Sequence, residues 1–370
     1  MVDCAPKETD LKRVFLENIP LLDVRAPVEF NAGAFPESTN IPLLTDEERH
    51  LVGIRYKTQG QEAAIALGYA LVDVQQKQQR VAQWAEFFET HPNGLLYCFR
   101  GGLRSRLTQR MLIDDAGITV PRIVGGYKAM RRFLLDRLEA DAAQAKLIVL
   151  GGRTGTGKTV LLNQCERFVD LEGIAHHKGS AFGQELEAQP PQISIDNEIA
   201  IALMRNQVTR PDAPIMLEDE GSKIGARRVP LPLWDAMQTA PLVVLHTPVE
   251  KRIAQVFEDY ITSRYQKLIR IYGGEQAEET LKTSILQSLD AIKKRLGPTR
   301  HKELSALALA GLSHYFESGN KHGIESLIEQ LLVGYYDPMY DYQINKKKHR
   351  IVFQGTETEI RDWWFSRCNL

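Results

Sequence analysis

The sequence predicts an α/β protein made of two successive α/β units followed by a mainly helical region. Up to about residue 270, short apolar runs alternate with stretches of helical apolar spacing. A glycine-rich phosphate-binding sequence stands between one of these runs and a helical stretch. After Glu275 helical spacing dominates. Strands that alternate with helices indicate parallel sheets covered by helices on both faces.

The first unit, residues 1–139, is predicted to contain strands that alternate with helices. Asp23, Val24 and Arg25 end its first apolar run, and Gly125 and Gly126 close its last one. The predicted elements are strands at 19–24, 95–97 and 123–124 and helices at 63–74, 81–88 and 105–114.

A helix at 127–145, with Met130, Phe133, Leu134 and Leu138 on one side, connects this unit to the second. The second unit, residues 140–270, opens with a strand at 147–150. A helix at 159–168, strands at 214–217 and 242–246 and an amphipathic helix at 249–261 are predicted to follow. Residues 271–370 are predicted to form a mainly helical region packed on the second unit, with a short strand at 351–353.

The composition is that of a soluble globular protein with more than one domain, since 43% of the 370 residues are hydrophobic and 25% are charged. The apolar runs are too short to span a membrane, and the N-terminal residues lack the apolar stretch of a secretory signal. We therefore expect a cytoplasmic protein without a membrane partner. The four cysteines form no Cys-x-x-Cys pair, which argues against a disulfide framework or a zinc site. With a formal net charge of −1, any nucleic-acid contact needs a local basic patch.

One cysteine, Cys98, stands in a sequence suited to holding a reactive sulfur or selenium anion. The thiolate is the reactive form, and backbone N–H groups at a helix start stabilise an anion, as do arginine side chains. Glycines allow the chain to curl tightly around Cys98 without a Cβ in the way. The alternative is a reduced structural cysteine at the end of a buried strand. The residues that we expect to cradle the anion are Arg100, Gly101, Gly102, Leu103 and Arg104.

The second candidate anion site is a complete phosphate-binding loop. In such loops the backbone N–H groups and the following helix bind phosphate oxygens, the lysine contacts the terminal phosphates, and the threonine hydroxyl can reach magnesium. An apolar strand before the loop and an apolar helix face after it argue against the alternative, a glycine-rich turn without a ligand. The predicted diphosphate-binding residues are Gly152, Arg153, Thr154, Gly155, Thr156, Gly157, Lys158 and Thr159.

Two further segments are candidates for the same site. A carboxylate after a second strand would hold a metal ion or act in catalysis, and Glu218 and Asp219 both fit; a solvated acidic turn is the alternative. A glycine-bounded basic loop is a candidate substrate or RNA contact, or else an ordinary surface loop. Its adjacent histidines do not readily share one metal ion. The loop residues are His177, Lys178, Gly179 and Ser180.

Three basic clusters and one aromatic run are candidate RNA contacts. Basic side chains bind phosphates, and unpaired bases stack on tyrosine rings. Each has an ordinary alternative, since charge runs are usually solvated and tyrosines usually pack. The basic clusters are residues 227–228, 293–295 and 346–350, and the aromatic run is 335–342.

The first unit resembles a rhodanese domain over most of its length. The resemblance rests on Leu21-Leu-Asp-Val-Arg25, Glu29-Phe30, Gly33, Pro36, Asn40-Ile-Pro42 and Cys98-Phe-Arg-Gly-Gly-Leu103. It departs at Ala34-Phe35, where many rhodaneses have a histidine and a short apolar residue. The resemblance implies that a chalcogen is transferred through an intermediate bound to Cys98, with residues 99–104 as its cradle.

Across nearly the full chain, the order of motifs resembles the family of tRNA 2-selenouridine synthases. Besides the rhodanese-like unit and the P-loop NTPase-like unit, the resemblance rests on residues 177–183, 218–225 and 336–342. It implies an enzyme that modifies the wobble uridine of tRNAs for lysine, glutamate and glutamine. The 2-thiouridine would first be S-geranylated from geranyl diphosphate. Selenium from selenophosphate would then displace the geranylthiol to give 2-selenouridine.

On this interpretation the protein is a selenotransferase that also has tRNA geranyltransferase activity. The phosphate loop holds geranyl diphosphate, Cys98 serves the selenium step, and Mg²⁺ is a further candidate cofactor. The sequence does not locate the geranyl pocket, for which the apolar helices after Glu275 are candidates. A selenophosphate-supplying enzyme is a candidate partner, and the lack of a heptad seam predicts a monomer. Two alternatives stay open. One is an ATP-dependent, rhodanese-fused sulfurtransferase or kinase acting on a small molecule; the other is a nucleotide-regulated RNA-binding protein with a degenerate rhodanese domain.

Overall fold

The structure of the protein, a computed structural model, describes residues 6–368. Short strands supply two parallel sheets and one small antiparallel pair. The strands are β1 (Lys7–Glu8), β2 (Leu21–Asp23), β3 (Ser38–Asn40), β4 (Leu95–Tyr97), β5 (Arg122–Ile123), β6 (Leu147–Gly152), β7 (Phe168–Val169), β8 (Ile215–Glu218), β9 (Lys223–Ile224), β10 (Arg227–Arg228), β11 (Leu242–Leu245) and β12 (Ile351–Gly355).

Helices account for most of the remaining chain. They are α1 (Leu11–Leu16), α2 (Pro27–Asn31), α3 (Asp46–Leu71), α4 (Val74–Thr90), α5 (Leu103–Ala116), α6 (Gly126–Gln144), α7 (Lys158–Asn163), α8 (Leu171–Ile174), α9 (Gln192–Thr209), α10 (Leu231–Thr239), α11 (Val249–Phe257), α12 (Ser263–Tyr272), α13 (Gly274–Leu296), α14 (Pro298–Ser318), α15 (His322–Leu331), α16 (Asp337–Lys346) and α17 (Glu357–Cys368). Two π-helical turns, Glu258–Thr262 and Leu332–Tyr336, join α11 to α12 and α15 to α16.

The chain divides into two compact units, Met1–Asp141 with Pro190–Arg205, and Ala142–Gln189 with Asn206–Leu370. The predicted boundary at residue 139 lies beside the end of the first segment. The predicted division did not place Pro190–Arg205 in the first unit. Residues 271–370 belong to the same compact unit as the phosphate loop.

The first unit contains a parallel five-stranded sheet with the order β1-β5-β4-β2-β3. Leu22 and Leu96 pair in adjacent strands and are fully buried, together with Trp84 from α4. Apolar residues in neighbouring strands therefore form the core of this unit. Strand β4 is part of that core and ends immediately before Cys98. The predicted parallel α/β architecture is confirmed for this unit, and its relationship to rhodaneses stays a prediction.

Helix α3 is much longer than the helix predicted at 63–74. It begins with a capping box, in which the Thr45 hydroxyl accepts from the Glu48 N–H and the Glu48 carboxylate accepts from the Thr45 N–H. Its first half is polar and largely exposed, so it has no apolar period for the sequence to reveal. Gly60, with φ of +81°, interrupts the regular helix.

The second unit contains a parallel five-stranded sheet with the order β12-β11-β6-β8-β7. Strand β6 pairs with β11 on one side and with β8 on the other. Later strands of the chain thus lie on both sides of β6, and the loop after β6 begins at the carboxyl edge of the sheet at this switch point. Ligands bind at such edges of open parallel sheets. The predicted helix at 159–168 is too long, because α7 ends at Asn163 and Phe168 begins β7.

Helices α11 to α16 pack around a separate apolar core in this unit. Ile285, Leu289 and Ile292 on α13 are buried there and Leu296 is partly buried, so the helical spacing predicted after Glu275 is confirmed for this helix. Within residues 6–368, no helix combines the length and the apolar character that crossing a membrane requires.

Candidate active site

The Cys98 loop joins strand β4 to helix α5. Cys98 directly follows β4, and Gly102 is the N-cap of α5. The Tyr127 N–H donates to the Cys98 carbonyl at 2.9 Å, and the Lys128 N–H donates to the Phe99 carbonyl at 3.0 Å. The start of α6 therefore fixes the shape of the loop.

Two glycines bring the backbone of this loop into close contact with the turn before α6. Gly101 has φ of +59°, and a Cβ there would lie 2.5 Å from the carbonyl oxygen of Ile123. A Cβ on Gly126, with φ of +57°, would overlap the Cys98 carbonyl oxygen. Gly102 is different, because its φ is −97° and its Cβ would meet no atom within 4 Å.

The Cys98 side chain is 3% exposed and belongs to an apolar cluster with Leu22, Leu96 and Leu112. It also lies within the field of Arg104. Although burial lowers the pKa of Arg104, its ion pair with Glu29 at 2.6 Å and, less strongly, the Cys98 sulfur raise that pKa above its ordinary value. Cys98 is thus as buried as a structural cysteine, yet it has the cationic neighbour that a reactive one requires. Among the other predicted cradle residues, Arg100 is exposed.

The phosphate loop runs from the end of β6 to the start of α7. Gly155, with φ of +77°, packs so closely on α11 that a Cβ would lie 2.7 Å from Val256 Cγ2. The Thr156 hydroxyl donates to the Arg153 carbonyl at 2.9 Å. Lys158 Nζ donates to the Gly152 carbonyl at 3.2 Å, so the lysine lies along the loop. The predicted diphosphate-binding residues thus form one wrapped loop at the start of a helix.

Helix α16 braces this loop through an ion pair. Arg252 donates to the Thr154 carbonyl at 2.9 Å and to both carboxylate oxygens of Asp337, at 2.6 and 2.9 Å. Arg153 in the loop contacts Asp341 of the same helix at 2.7 Å. The side chains of Arg252 and Asp337 are only 2% and 12% exposed, so their interaction is shielded from water.

A cavity of about 720 Å³ lies beside the loop. We call it the phosphate cavity. Its lining includes loop residues 154–159 and the cations Lys158, Lys178, Lys267 and Arg270. Of the predicted substrate loop, His177, Lys178 and Ser180 also line it. The lining also contains four carboxylates, and Lys178 and Lys267 pair with two of them, Asp259 and Glu185. The groups that suit phosphate oxygens are therefore Lys158 and the backbone N–H groups of the loop.

Within the substrate loop, Gly179 and His177 have structural partners. Gly179 has φ of +60°, and its Cβ would lie 2.7 Å from Glu220 Oε2 and 2.8 Å from Glu172 Oε1. The Gly179 N–H donates to His177 Nδ1 at 3.1 Å, and burial lowers the pKa of His177. The loop is therefore packed against the carboxyl groups next to the phosphate loop.

Those carboxyl groups, Glu172 and Glu220, form a buried pair. Burial raises the pKa of Glu172, an effect that the Lys158 ammonium partly offsets. Burial and then the charge of Glu172 raise the pKa of Glu220 to about 8. Glu172 also accepts from the Thr159 hydroxyl at 3.3 Å. Two hydrogen-bonded carboxyl groups in such a site share a proton near neutral pH.

Glu218 and Asp219, the predicted carboxylates, are engaged elsewhere. Glu218 is fully buried and accepts from the Leu171 N–H at 3.0 Å; burial raises its pKa far above the usual range. Asp219 accepts from Lys347 at 2.6 and 2.8 Å. Neither belongs to the lining of the phosphate cavity. Glu172 does line the cavity and accepts from Thr159, and Glu220 is hydrogen-bonded to Glu172 from outside the lining.

The fit of Mg²⁺ to this site follows from the oxygen donors present. In the part of the chain that the structure describes, no three His, Cys, Asp or Glu side chains are grouped as a metal site. Magnesium in phosphate sites usually takes one or two carboxylates and completes its shell with water and phosphate oxygens. Thr159 and Glu172 supply such donors, with Glu220 hydrogen-bonded behind them. These residues would hold a bound ion, which would neutralise phosphate charge.

A narrow apolar cleft of about 50 Å³ meets the phosphate cavity. Thr154, Ser180 and Tyr260 lie in the walls of both spaces. Aliphatic side chains from α13 and α15 and from the second π-helical turn line the rest: Ile285, Ile324, Leu327, Ile328, Leu331 and Leu332. An apolar cleft of this kind suits a hydrocarbon chain attached to a bound phosphate.

The two π-helical turns place tyrosines at this cleft. Tyr260 lies in the first turn, with its hydroxyl 3.4 Å from the Ser180 hydroxyl, and Tyr336 lies in the second. Burial raises the pKa of both phenols, so both are neutral at physiological pH. Single π-helical turns are frequent at functional sites.

The candidate RNA contacts prove to be partly structural. Lys347 is bound to Asp219, and Arg350 donates to the Met237 and Ala240 carbonyls at 2.6 and 2.8 Å. In the aromatic run Tyr336 is buried, whereas Tyr340 lines the phosphate cavity. The basic cluster at 346–350 therefore supports the fold at two of its positions.

Sequence reasoning missed Glu172, Glu220, Tyr260 and the brace formed by Arg252 and Asp337. Glu220 directly follows the two predicted carboxylates, Glu218 and Asp219, and Asp337 lies within the predicted aromatic run at 335–342. Glu172 and Tyr260 carry no local signal, because each lies in an ordinary helical stretch. Only the fold brings them to the phosphate loop.

The fold and these sites define a class: an α/β protein with a phosphate-binding loop in one unit and a glycine-bounded cysteine loop in the other. A family model described as the tRNA 2-selenouridine synthase AAA domain matches residues 145–369. The chain belongs to the family of tRNA 2-selenouridine synthases.

Full-length relatives support this membership. Proteins called tRNA 2-selenouridine synthase from Cupriavidus pinatubonensis and Pseudomonas syringae pv. syringae are each 46% identical to this chain. The first match covers 96% of both chains, and the second covers 96% of this chain and 97% of the relative. A protein of the same name from Bordetella petrii is 45% identical, and the match covers 94% of this chain and 93% of the relative. A solved N-terminal domain of a Clostridium difficile 630 protein described as ATP/GTP-binding is 32% identical and covers 35% of this chain and 98% of its own. Its TM-score of 0.32 is too low to carry a structural argument.

The buried carboxyl pair predicts that stability depends on pH. Because folding raises the pKa of Glu220 from 4.5 to about 8, the folded state binds the extra proton. Its stability should therefore fall as pH rises through this window. We expect the midpoint of urea unfolding of the second unit to decrease between pH 5.5 and 8.5, and Glu220→Gln to flatten this dependence. Glu303→Gln, at an exposed position, is the control. A Glu220→Gln profile as steep as that of the wild type would contradict the assignment.

Proposed function

We propose that this protein converts wobble 2-thiouridine in tRNAs for lysine, glutamate and glutamine to 2-selenouridine, through an S-geranyl-2-thiouridine intermediate. Geranyl diphosphate and selenophosphate are the co-substrates. Family membership supports the overall reaction. The observation that carries the geranyl step is the apolar cleft that meets the phosphate cavity at Thr154, Ser180 and Tyr260.

In the geranyl step the phosphate loop holds the diphosphate and the cleft receives the hydrocarbon chain. The allylic C–O bond breaks, and its electron pair leaves with the diphosphate. The thiouridine sulfur forms the new C–S bond, and the base loses its N3 proton. Lys158 and the loop N–H groups stabilise the charge that develops on the departing diphosphate. A purine nucleotide would leave the aliphatic cleft unused, which favours a prenyl diphosphate as the ligand.

In the selenium step the Cys98 loop holds the selenium nucleophile against C2 of the base. Selenophosphate carries selenium at the selenide oxidation level, so the exchange needs no external oxidant or reductant. The Se–C2 bond forms as the C2–S bond breaks, and the sulfur leaves with the electron pair as geranylthiolate. Water then cleaves the Se–P bond and releases phosphate. Backbone N–H groups at the start of α5, together with Arg104, stabilise the anion in this step.

The test is nucleoside mass spectrometry of unmodified 2-thiouridine tRNA incubated with the protein. We expect S-geranyl-2-thiouridine with geranyl diphosphate alone, and 2-selenouridine once selenophosphate is added. ATP turnover without tRNA, with neither modified nucleoside formed, would contradict the proposal and favour an ATP-dependent sulfurtransferase or kinase. Leaving out and restoring Mg²⁺ in the same assay tests whether the site needs the ion.

A further inference from the structure

A second apolar space, of about 140 Å³, lies in the first unit next to the Cys98 loop. We call it the α5 pocket. Leu103 and Arg104, the first two residues of α5, are part of its lining, and Gly102 before them ends the cysteine loop. The α5 pocket therefore begins within one helical turn of the loop that carries Cys98.

The walls of the α5 pocket are hydrocarbon. Leu103, Leu107 and Met111 lie four residues apart on one side of α5, and Ala64 and Ile65 of α3 contribute to the same lining. By the measure in which one water needs about 10–15 Å³, the volume holds roughly ten water-sized spheres. A branched hydrocarbon chain suits a space of this size and character.

The charged residues at the α5 pocket already have carboxylate partners. Arg104 pairs with Glu29 at 2.6 Å and Arg80 with Glu48 at 2.9 Å, while Lys77 pairs with Asp115 at 2.6 Å. The charges of Lys77 and Arg80 are thus neutralised locally, while Arg104 also interacts electrostatically with Cys98 outside the pocket lining. An uncharged apolar group is the ligand that this arrangement favours.

We propose that the α5 pocket binds the geranyl chain of S-geranyl-2-thiouridine during the selenium step and then holds the departing geranylthiol. This inference rests on the proposed function. The cleft in the second unit adjoins the phosphate loop and suits the chain while it is a diphosphate ester. The α5 pocket adjoins the cysteine loop and suits the same chain once it is attached to sulfur.

Binding the chain here has a consequence for the exchange. With the chain along α5, the sulfur at its end and C2 of the base are held at the N-terminal turn of that helix. There the Se–C2 bond forms as the C2–S bond breaks, with the electron pair leaving on geranylthiolate, which takes a proton from solvent. The pocket thus selects the geranylated base over 2-thiouridine bases with smaller sulfur substituents.

The test compares RNA stem-loops that carry S-geranyl- or S-methyl-2-thiouridine. Each is incubated with selenophosphate, and the rate of 2-selenouridine formation is measured by mass spectrometry. We expect the wild type to prefer the geranyl substrate in kcat/KM by at least about tenfold, since hydrophobic pockets discriminate by this much for even small groups. Ala64→Phe places a ring in the pocket and should bring the geranyl-to-methyl ratio close to one.

Ala66→Phe is the matched control, because Ala66 is exposed on the same helix and lies outside the lining, whereas Ala64 is 4% exposed. Circular dichroism and a urea unfolding transition of the first unit that match those of the wild type show that the Ala64→Phe protein is folded. An unchanged substrate ratio in a folded Ala64→Phe protein would overturn the pocket assignment. Absence of 2-selenouridine from both substrates with the wild type would instead overturn the proposed function.

A measurement on the wild-type protein makes the test independent of substitutions. A stem-loop whose S-alkyl chain ends in a photoreactive diazirine is bound and irradiated, and the labelled peptides are identified. We expect labels on α3 or α5, for example at Val52, Ile65 or Met111, which line the α5 pocket. Labels confined to α13 and α15 would place the chain in the other cleft and refute the inference.

Discussion

Lys158→Ala enzyme is expected to lose geranylation by about 10²–10³-fold while still converting pre-geranylated tRNA to the selenouridine product. Removing one preorganised charge-stabilising donor from a transition state typically costs this much. Lys158 lies in the phosphate loop and lines the phosphate cavity, where diphosphate leaves in the proposed reaction. Exposed Lys251 on α11 supplies the control, Lys251→Ala. Both reactions are followed by nucleoside mass spectrometry on the same protein preparations.

Cys98→Ser enzyme is expected to show the opposite pattern. It should geranylate 2-thiouridine tRNA at the wild-type rate and form less 2-selenouridine, because the substitution alters the loop that holds the selenium nucleophile in the proposed step. Cys165→Ser is the matched control, because Cys165 is also buried, and burial raises the pKa of its thiol to about 12. Such a thiol is inert at neutral pH. If Cys98→Ser abolished geranylation and spared the selenium step, the division of labour between the two sites would be wrong.

The largest expected effect on stability comes from Asp337→Ala. This substitution leaves Arg252, whose side chain is 2% exposed, without its carboxylate partner. Breaking a buried ion pair from one side typically costs 3–5 kcal/mol, roughly, because the remaining charge stays buried and uncompensated. Since Arg252 also holds the Thr154 carbonyl, the phosphate loop should lose its shape and geranylation should fall with it.

Asp341→Ala provides the comparison for this prediction. Asp341 is on the same helix and also pairs with an arginine, Arg153, but the two side chains are 44% and 43% exposed. Exposed pairs contribute only about 0–1 kcal/mol. Urea unfolding should therefore distinguish the two alanine variants clearly. Equal and small losses of unfolding free energy would show that the Arg252–Asp337 contact is not the brace we infer.

Much of the fold could be predicted because its signals are local. The strands at 21–23, 95–97, 147–152 and 242–245 are short apolar runs, and both anion loops follow such runs directly. Helix α9 and the first half of α3 were missed. Helix α3 lacks an apolar stripe at its start. Helix α9 follows a proline-containing segment, and no strand directly before it indicates where the helix begins.

The carboxylates show where sequence reasoning fails. Glu218, Asp219 and Glu220 are consecutive, so spacing gives no reason to prefer one. In the structure they have different partners: Glu218 accepts from the Leu171 N–H, Asp219 from Lys347, and Glu220 is hydrogen-bonded to Glu172. Successive side chains at the end of a strand point to different sides, and only packing decides what each one meets.

The sequence by itself determined the two loops that we propose to bind anions, since each depends on residues adjacent in the chain whose backbone N–H groups and charges act together. The tertiary structure alone decided which distant groups complete them. It brought Arg252 and Asp337 to the phosphate loop, paired Glu172 with Glu220, and left apolar space beside each loop. The physical reason is that cavities and buried charge pairs arise from packing between elements far apart in sequence, where no local pattern records them.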